Sequence, residues 1–434
     1  MTSLNKLSDE GFIIRNVKAR WILDSRGNPT VEVEVITAAG FVGRAATPSG
    51  KTRGRYEAIE IRDVDDPRFK GRGVFRAVEI VNTEISPLII GMDSRNQREI
   101  DYAMIKYDGT RNKSKVGANA MVATSLAVAK AAARTYGVPL YRYLGKGNTG
   151  VLPTPIMNIL NGGPHAGNEL AIPEFMIVPV NADSFSEALR MGVEVYYSLR
   201  EVLLEKYGRI AVNVGDEGGF APPMRLTKNA LDALMLAIER AGYSEEDLKL
   251  GMDCAASTFY DEREQKYFID GKSIGEDGLM EYYLDILNSY PIIYLEDPFH
   301  EEAFEAFSEI TKKAKNTLII GDDLFVTNPE RLRRGIDMNA CNAILIKVNQ
   351  IGTLTETIDV VNIAKKNNYK TIISHRSGET EDTSIADISV GLSTGLIKAG
   401  APARGERTAK YNQLLRIEEE LGSSAIFLGL KAFR

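Results

Sequence analysis

The sequence predicts an α/β protein in which a smaller α+β domain precedes a parallel β-barrel. In the second half of the chain, six short apolar runs each end on a charged residue and are followed by a helix-like stretch. The carboxyl ends of barrel strands meet at one face, where active sites form, so these charges should converge. The residues that end the runs are Asp253, Glu296, Asp322, Lys347, His375 and Lys398.

The first domain is predicted from a sheet-like segment followed by helical periodicity. Residues 13–61 contain the extended runs IRNVKARWIL, TVEVEVIT and FVGRAAT, which indicate an antiparallel meander. TVEVEV alternates apolar and polar residues, which predicts one solvent-facing side. GANAMVATSLAVAKAAARTYG is apolar on almost every side and ends at Gly137, which predicts a buried helix with a glycine stop. The Gly- and Pro-rich segment 145–155 divides the predicted domains, 1–146 and 147–434.

The predicted barrel begins irregularly. PIMNIL and EFMIVPV are strand-like runs with no long helix between them, and two helical stretches follow at 184–207 and 227–241. Strict strand–helix alternation starts only after these stretches. The order of elements therefore predicts a barrel that opens β-β-α-α before its βα repeats.

Composition limits the classes of function. The chain has 434 residues and a formal net charge of −6, so it lacks the overall basic charge of a nucleic-acid-binding protein, although a local positive pocket remains compatible with this charge. No apolar run approaches the ~20 residues that cross a bilayer, and the N-terminus lacks the apolar core of a signal peptide. Cys254 and Cys341 predict buried thiols in a reducing compartment, so we expect a cytoplasmic protein without membrane partners.

The charged strand ends suggest a metal site and a base. Asp253, Glu296 and Asp322 form an oxygen-only set, which suits Mg²⁺ better than Zn²⁺; the alternative is that each pairs separately with a barrel lysine. Lys347 follows the apolar run AILI and is expected near Lys398 and bound cations. These surroundings favour a neutral amine that can act as a base, although the lysine could instead neutralise the carboxylates.

Two Gly-rich loops and one polar segment add candidates. NILNGGPHAGNEL places His165 after the first barrel strand, and NVGDEGGFAPP places Glu217 in a similar loop. Glycines let the backbone approach a ligand closely. Arg376 and Ser377 follow His375 in SHRSGETED and could hold a phosphate, the arginine through paired hydrogen bonds.

The chain resembles the enolase family over essentially its whole length. The segments that carry the resemblance are LDSRGNPTVEVEV, NGGPHAGN, GDEGGFAP, MDCAAS, EDPF, GDDLFVTN, LIKVNQIGTLTET, SHRSGETED and IKAGAPARGERTAKYNQLLRIEEELG. The resemblance implies an N-terminal α+β domain followed by a ββαα(βα)6 barrel. It also implies a homodimer or higher homo-oligomer that catalyses reversible, Mg²⁺-dependent dehydration of 2-phospho-D-glycerate to phosphoenolpyruvate in glycolysis.

The resemblance also implies residue roles. Lys347 matches the base that removes the C2 proton, and Glu217 matches the acid that helps the C3 hydroxyl leave. Ser49 matches a loop serine that completes a second Mg²⁺ once substrate is bound. Asp253, Glu296 and Asp322 match the ligands of the first Mg²⁺. The residues expected to contact or support the substrate are His165, Glu174, Glu296, Asp322, His375, Arg376, Ser377 and Lys398.

Two departures from the family pattern are present. The loop at 49–54 reads SGKTRG where the family usually has Ser-Gly-Ala-Ser-Thr-Gly, and Pro173 stands before Glu174 where Gln is usual. The first bears on loop closure and second-metal affinity, and the second on one polar contact. We hypothesise that Lys51 or Arg53 reaches the substrate phosphate; the alternative is that both side chains point to solvent.

Two other functions predict sequence features that this chain does not have. An acid-sugar dehydratase or racemase of the same superfamily typically carries a Lys-x-Lys base on an early barrel strand, and EFMIVPV has no lysine. A non-catalytic structural relative would be expected to lack Lys347 or Glu217, and both are present.

Overall fold

The computed structural model describes residues 9–50, 54–147 and 149–434, apart from the side chains of Pro164 and His165. Lys51 and Arg53 lie outside the described residues, as does the side chain of His165, so the predictions for them stay predictions. Within the described ranges, no helix is both long enough and apolar enough to span a bilayer.

The described residues form sixteen β-strands and fifteen α-helices. The strands are β1 (Ile14–Leu23), β2 (Pro29–Thr37), β3 (Val42–Ala46), β4 (Val151–Leu152), β5 (Thr154–Asn161), β6 (Glu174–Pro179), β7 (Leu248–Asp253), β8 (Tyr260–Asp261), β9 (Lys266–Ile269), β10 (Lys272–Ile274), β11 (Ile292–Glu296), β12 (Leu318–Gly321), β13 (Ala343–Ile346), β14 (Lys370–Ser374), β15 (Gly395–Lys398) and β16 (Ile426–Phe427). The α-helices are α1 (Phe75–Ile80), α2 (Ser86–Ile89), α3 (Gln97–Asp108), α4 (Ala118–Thr135), α5 (Leu140–Gly145), α6 (Gly163–Ala166), α7 (Phe185–Tyr207), α8 (Thr227–Arg240), α9 (Glu276–Ser289), α10 (Phe304–Lys313), α11 (Pro329–Met338), α12 (Val348–Ile351), α13 (Leu354–Lys366), α14 (Ser384–Gly391) and α15 (Gly405–Leu421).

The chain forms two compact units. The meander unit contains the described residues as far as Thr149, together with Lys347–Val361 and Arg376–Leu392. The barrel unit contains Gly150–Ile346, Asn362–His375 and Ser393–Arg434. The domain boundary that the sequence predicts between residues 146 and 147 stays a prediction.

The meander unit has the predicted sheet and helix. β1, β2 and β3 pair antiparallel in that order, and every residue of α4 except Lys130 and Arg134 is buried. Gly43 of β3 lies against this helix, where a Cβ would meet the main-chain oxygen of Ala127 at 2.1 Å. A glycine is therefore required for the sheet to approach α4 this closely.

The side of β2 that was predicted to face solvent is more buried than the alternation suggests. Glu32 is only 8% exposed, so the prediction is wrong at this residue. Its carboxylate accepts a 2.6 Å bond from the guanidinium of Arg20, which also bonds Glu34 at 2.6 Å. The cross-strand ion pairs cover the polar side because long arginine side chains lie along it.

The barrel unit is a closed eight-stranded barrel in the order β11-β12-β13-β14-β15-β5-β6-β7. The β-β-α-α opening is confirmed: no long helix separates β5 from β6, and the two long helices α7 and α8 come next. β6 departs from the parallel direction and pairs antiparallel with both β5 and β7. The segment between β5 and β6 contains only the one-turn helix α6, whereas a parallel connection uses a full crossover helix.

The direction of β6 brings its first residue to the face where the parallel strands end. Asp253, the last residue of β7, pairs with Glu174 of β6 on one side and with Glu296 of β11 on the other. Below this row the barrel interior is apolar, as the prediction of parallel-barrel strands requires. The interior residues include Ile156, Met176, Tyr294, Ile320, Leu345, Ile372 and Leu396. Cys254 and Cys341 are buried free thiols, as predicted.

Candidate functional site

Lys398 lies among three buried carboxylates at the carboxyl end of the barrel. Its ammonium donates to Asp253 Oδ2 at 2.9 Å and to Glu296 Oε2 at 2.7 Å. It also forms an ion pair with Glu174 Oε2 at 2.9 Å. Strand register explains the arrangement, because neighbouring strands place these residues side by side.

The electrostatics of this cluster favour a bound cation. Burial alone would lower the pKa of Lys398, but attraction to Asp253, Glu174 and Glu296 raises it well above its usual value. Burial, and then repulsion from Glu217, raises the pKa of the Glu174 carboxyl well above its usual value. One ammonium thus faces three carboxylates in a dry environment, and a divalent cation would offset the remaining negative charge.

Asp297 is a member of the site that the sequence argument missed. Its Oδ1 accepts the main-chain N–H of Asp322 at 3.1 Å, and its Oδ2 accepts that of Asp323 at 2.7 Å. Burial, and then repulsion from Asp323 and Asp322, raises the pKa of the Asp297 carboxyl well above its usual value. Asp297 could have been found from the sequence because it directly follows Glu296 in LEDPF.

Among the residues that the structure describes, two sets of carboxylates are spaced as metal ligands, with ligand atoms within 4.8 Å of one another. One set is Asp253, Glu296 and Asp297, and the other is Asp297, Asp322 and Asp323. The predicted trio of Asp253, Glu296 and Asp322 is therefore divided between the sets, and Asp297 belongs to both. Oxygen-only donors of this kind fit a hard divalent metal ion.

Tyr294 supports the metal-site carboxylates from within the strand. Its hydroxyl donates to Glu296 Oε2, and both side chains are fully buried. Residues two apart on a strand point to the same face, so the spacing in IIYLE was a usable signal for this contact.

Glu217 lies in the predicted Gly-rich loop and is 3% exposed. Its Oε2 accepts a 2.9 Å hydrogen bond from Asn158 of β5 and lies 3.6 Å from Nε2 of His375. The next residue, Gly218, has φ +87°, and a Cβ there would meet the main-chain oxygen of Ala403 at 2.9 Å. The glycine lets the loop turn tightly and presents the carboxylate inside the barrel unit.

His375 contacts a second residue that the sequence argument missed. Nη1 of Arg407, on α15, lies 2.5 Å from Nδ1 of the His375 ring. Arg407 is fully buried, and its Nη2 donates to the main-chain oxygen of Asp216 at 3.0 Å. The helical pattern of the sequence did not predict that Arg407 is buried, because arginines on surface helices normally face solvent.

Four predicted site residues, Ser49, Lys347, Arg376 and Ser377, belong to the meander unit. Ser49 Oγ donates to Glu60 at 3.2 Å and accepts from Arg62 at 3.0 Å. The Arg376 guanidinium donates to both oxygens of Glu57, at 3.0 and 3.2 Å. The other two are Ser377, which is buried, and Lys347, which directly follows β13.

Comparison with known proteins agrees with this architecture. The family model "Enolase, N-terminal domain" matches residues 14–144, and "Enolase, C-terminal TIM barrel domain" matches residues 149–434. An enolase of Methanococcoides burtonii is 57% identical over 98% of this chain and 100% of its own length. Enolases of Methanocaldococcus jannaschii and Methanosarcina barkeri are 58% and 56% identical, over 96% and 99% of this chain and 97% and 100% of theirs. The chain therefore belongs to the enolase family.

Proposed function

We propose that this chain catalyses the reversible dehydration of 2-phospho-D-glycerate to phosphoenolpyruvate, a carbon–oxygen lyase reaction of glycolysis and gluconeogenesis. The observation that carries the proposal is the match to enolases over both domains and nearly the full length. The cluster around Lys398 supports it. A reaction that builds negative charge on a substrate carboxylate is accelerated by fixed positive charge placed where that charge develops.

Mg²⁺ is the divalent ion in this proposal, with two ions per active site and the second binding together with substrate. Asp253, Glu296 and Asp322 hold the first ion, and Ser49 contributes to the second. All-oxygen donors and the strongly negative cluster favour a hard cation of this kind. When bound, Mg²⁺ supplies positive charge that stabilises the negative charge developing on the substrate carboxylate.

Lys347 and Glu217 carry out the proton transfers in this proposal. Lys347 removes the C2 proton, and the electrons of that bond form the C2–C3 double bond as the C3–O bond breaks. Glu217 donates a proton to the departing hydroxyl, because hydroxide is a poor leaving group and leaves more readily as water. Lys398 provides a fixed ammonium for the substrate carboxylate, since its three carboxylate partners hold it in the charged form.

The remaining predicted residues bind or orient the substrate. Arg376 offers a planar guanidinium that suits a phosphate, because two parallel N–H groups match two phosphate oxygens. In the structure the same two groups face Glu57, so phosphate binding would exchange one anionic partner for another. The other members of this group are His165, Glu174, His375 and Ser377.

Three broader features belong to the same proposal. The chain is divided into an N-terminal α+β domain at residues 1–146 and a catalytic barrel domain at residues 147–434. It acts in the cytoplasm, as two buried free thiols favour a reducing compartment. It assembles as a homodimer or a higher homo-oligomer.

The direct test is an assay of the purified chain with 2-phospho-D-glycerate and Mg²⁺. Phosphoenolpyruvate should form, and its conjugated double bond can be followed by ultraviolet absorbance. The reverse reaction should be measurable from phosphoenolpyruvate, and a chelator should stop both directions. A folded, Mg²⁺-loaded protein that forms no phosphoenolpyruvate would refute the proposed function.

The metal ligands can be tested by calorimetric titration with Mg²⁺ in the absence of substrate. Asp322→Asn should weaken binding by roughly 10-fold or more, because it removes one anionic ligand. Asp297→Asn should also weaken binding, because the amide cannot accept the N–H groups of both Asp322 and Asp323. Excess Mg²⁺ should restore part of the activity in both variants.

The control is Asp337→Asn, which removes an exposed carboxylate on α11 and should leave Mg²⁺ affinity unchanged. An Asp322→Asn protein with native Mg²⁺ affinity would remove this residue from the ligand set. The comparison of Asp297 with Asp322 also reports whether the sequence-based trio or the two structural sets describe the site.

A further inference from the structure

Arg407 makes two directed contacts from a fully buried position on α15. Nη1 lies 2.5 Å from Nδ1 of His375, and Nη2 donates to the main-chain oxygen of Asp216 at 3.0 Å. Asp216 directly precedes Glu217 in the chain. One guanidinium therefore contacts both the ring that faces Glu217 and the backbone that carries Glu217.

The chemistry of a guanidinium decides the state of the histidine ring. Arginine has only donor groups and stays charged in proteins. A short contact with Nδ1 therefore requires that Nδ1 accepts the hydrogen bond and carries no proton. A doubly protonated ring would oppose N–H to N–H and place two positive charges together. His375 is thus the neutral tautomer with its proton on Nε2, the nitrogen that lies 3.6 Å from Glu217 Oε2.

Close packing around Gly400 leaves these groups little freedom. This glycine has φ +84° and follows β15 by two residues. A Cβ at this position would lie 2.8 Å from the main-chain oxygen of Glu217, 2.9 Å from Cδ of Arg407 and 3.0 Å from Cε1 of His375. The three residues therefore meet at one point of the backbone, which only glycine can occupy.

We propose that Arg407 is a positioning residue that holds His375 as the Nε2–H tautomer and thereby keeps the acidic proton of Glu217 available for the substrate. This inference rests on the proposed role of Glu217 as the acid. The opposite tautomer would present a basic nitrogen to Glu217. Imidazole is more basic than a carboxylate, with reference pKa values of about 6.5 and about 4.3, so that nitrogen would take the proton that the leaving hydroxyl needs.

The ring state can be measured without reference to activity. The chain contains three histidines, His165, His300 and His375, so protein labelled with ¹⁵N-histidine gives three ring patterns in two-bond ¹H–¹⁵N correlation spectra. The His375 signals are identified as those that disappear in His375→Gln. In the native protein we expect an unprotonated Nδ1 and a protonated Nε2, unchanged through the pH range in which an ordinary histidine titrates.

Two substitutions test the role of Arg407. Arg407→Met keeps the length but removes the donors, and should release His375 to mix tautomers and to take up a proton at mildly acidic pH. The value of kcat should fall on the order of 10²-fold, with KM changed far less, because the residue positions a proton donor and does not touch substrate. Arg407→Lys keeps a charged donor and should restore part of both the ring pattern and kcat.

Controls separate this inference from simple loss of structure and from the proposed function. Arg333→Met removes an exposed arginine on α11 and should change neither the His375 pattern nor kcat, while circular dichroism checks the fold of each variant. A native spectrum with the proton on Nδ1, or on both nitrogens, overturns the inference even if the chain dehydrates 2-phosphoglycerate. If the chain has no such activity but shows the Nε2–H pattern, the proposed function fails and the ring assignment stands.

Discussion

Glu217→Gln should abolish dehydration while the protein still exchanges the C2 hydrogen of 2-phosphoglycerate with solvent. In the proposed mechanism the glutamine cannot donate a proton to the leaving hydroxyl, but Lys347, the proposed base, remains to remove the C2 proton. General acid–base groups contribute about 10²–10⁴-fold to rate, so the loss of turnover should be at least of this order. Proton NMR in heavy water measures exchange at C2 directly, and phosphoenolpyruvate formation measures dehydration.

Lys347→Ala should lose both exchange and dehydration, because it removes the proposed base for the first proton transfer. Glu245→Gln is the control for Glu217→Gln, because it makes the same carboxylate-to-amide change at an exposed residue. It should behave as native protein in both assays. Native exchange in Lys347→Ala would show that another group is the base. Loss of exchange in Glu217→Gln would place that glutamate in the first step rather than the second.

Residues at strand ends were predictable because barrel geometry fixes where strand ends meet. Asp253, Glu296 and Lys398 each end a short apolar run. In the structure, Nζ of Lys398 lies 2.9 Å from Asp253 Oδ2 and 2.7 Å from Glu296 Oε2. Glu174 came from the family resemblance alone. Its strand runs in the opposite direction, so a rule that collects the last residue of each strand could not find it.

Asp297 and Arg407 escaped prediction for a different reason. Asp297 follows a strand end in a left-handed conformation, with φ +42°, and that local turn decides where its carboxylate points. Arg407 sits on a helix whose sequence reads as polar, and its burial depends on loops that are far away in the chain. Periodicity describes one element at a time, so contacts among a helix, a loop and a strand end lie beyond it.

Lys398→Met should destabilise the metal-free protein by about 3–5 kcal/mol near neutral pH, because it leaves buried carboxylates without their ammonium partner. Without the ammonium, burial and repulsion from the neighbouring carboxylates would hold the pKa of Glu174 in the folded variant further above its value in the unfolded chain. The folded variant binds more protons than the unfolded chain, so its free energy of unfolding falls as pH rises. The stability difference from native protein should therefore grow from about pH 4 towards neutrality, as measured by urea unfolding in the presence of a chelator.

A second substitution separates charge from packing in this result. Glu174→Gln added to Lys398→Met removes one of the carboxylates that Lys398 holds, and should recover part of the lost stability at neutral pH but little near pH 4. If the loss of stability came only from the missing side-chain volume, it would be the same at every pH. Adding Glu174→Gln would then leave it unchanged. Lys431→Met, at an exposed lysine, should leave the unfolding curve unchanged. A stability difference that does not change with pH would mean that the three carboxylates do not repel one another strongly. Their charge would then not favour a divalent cation.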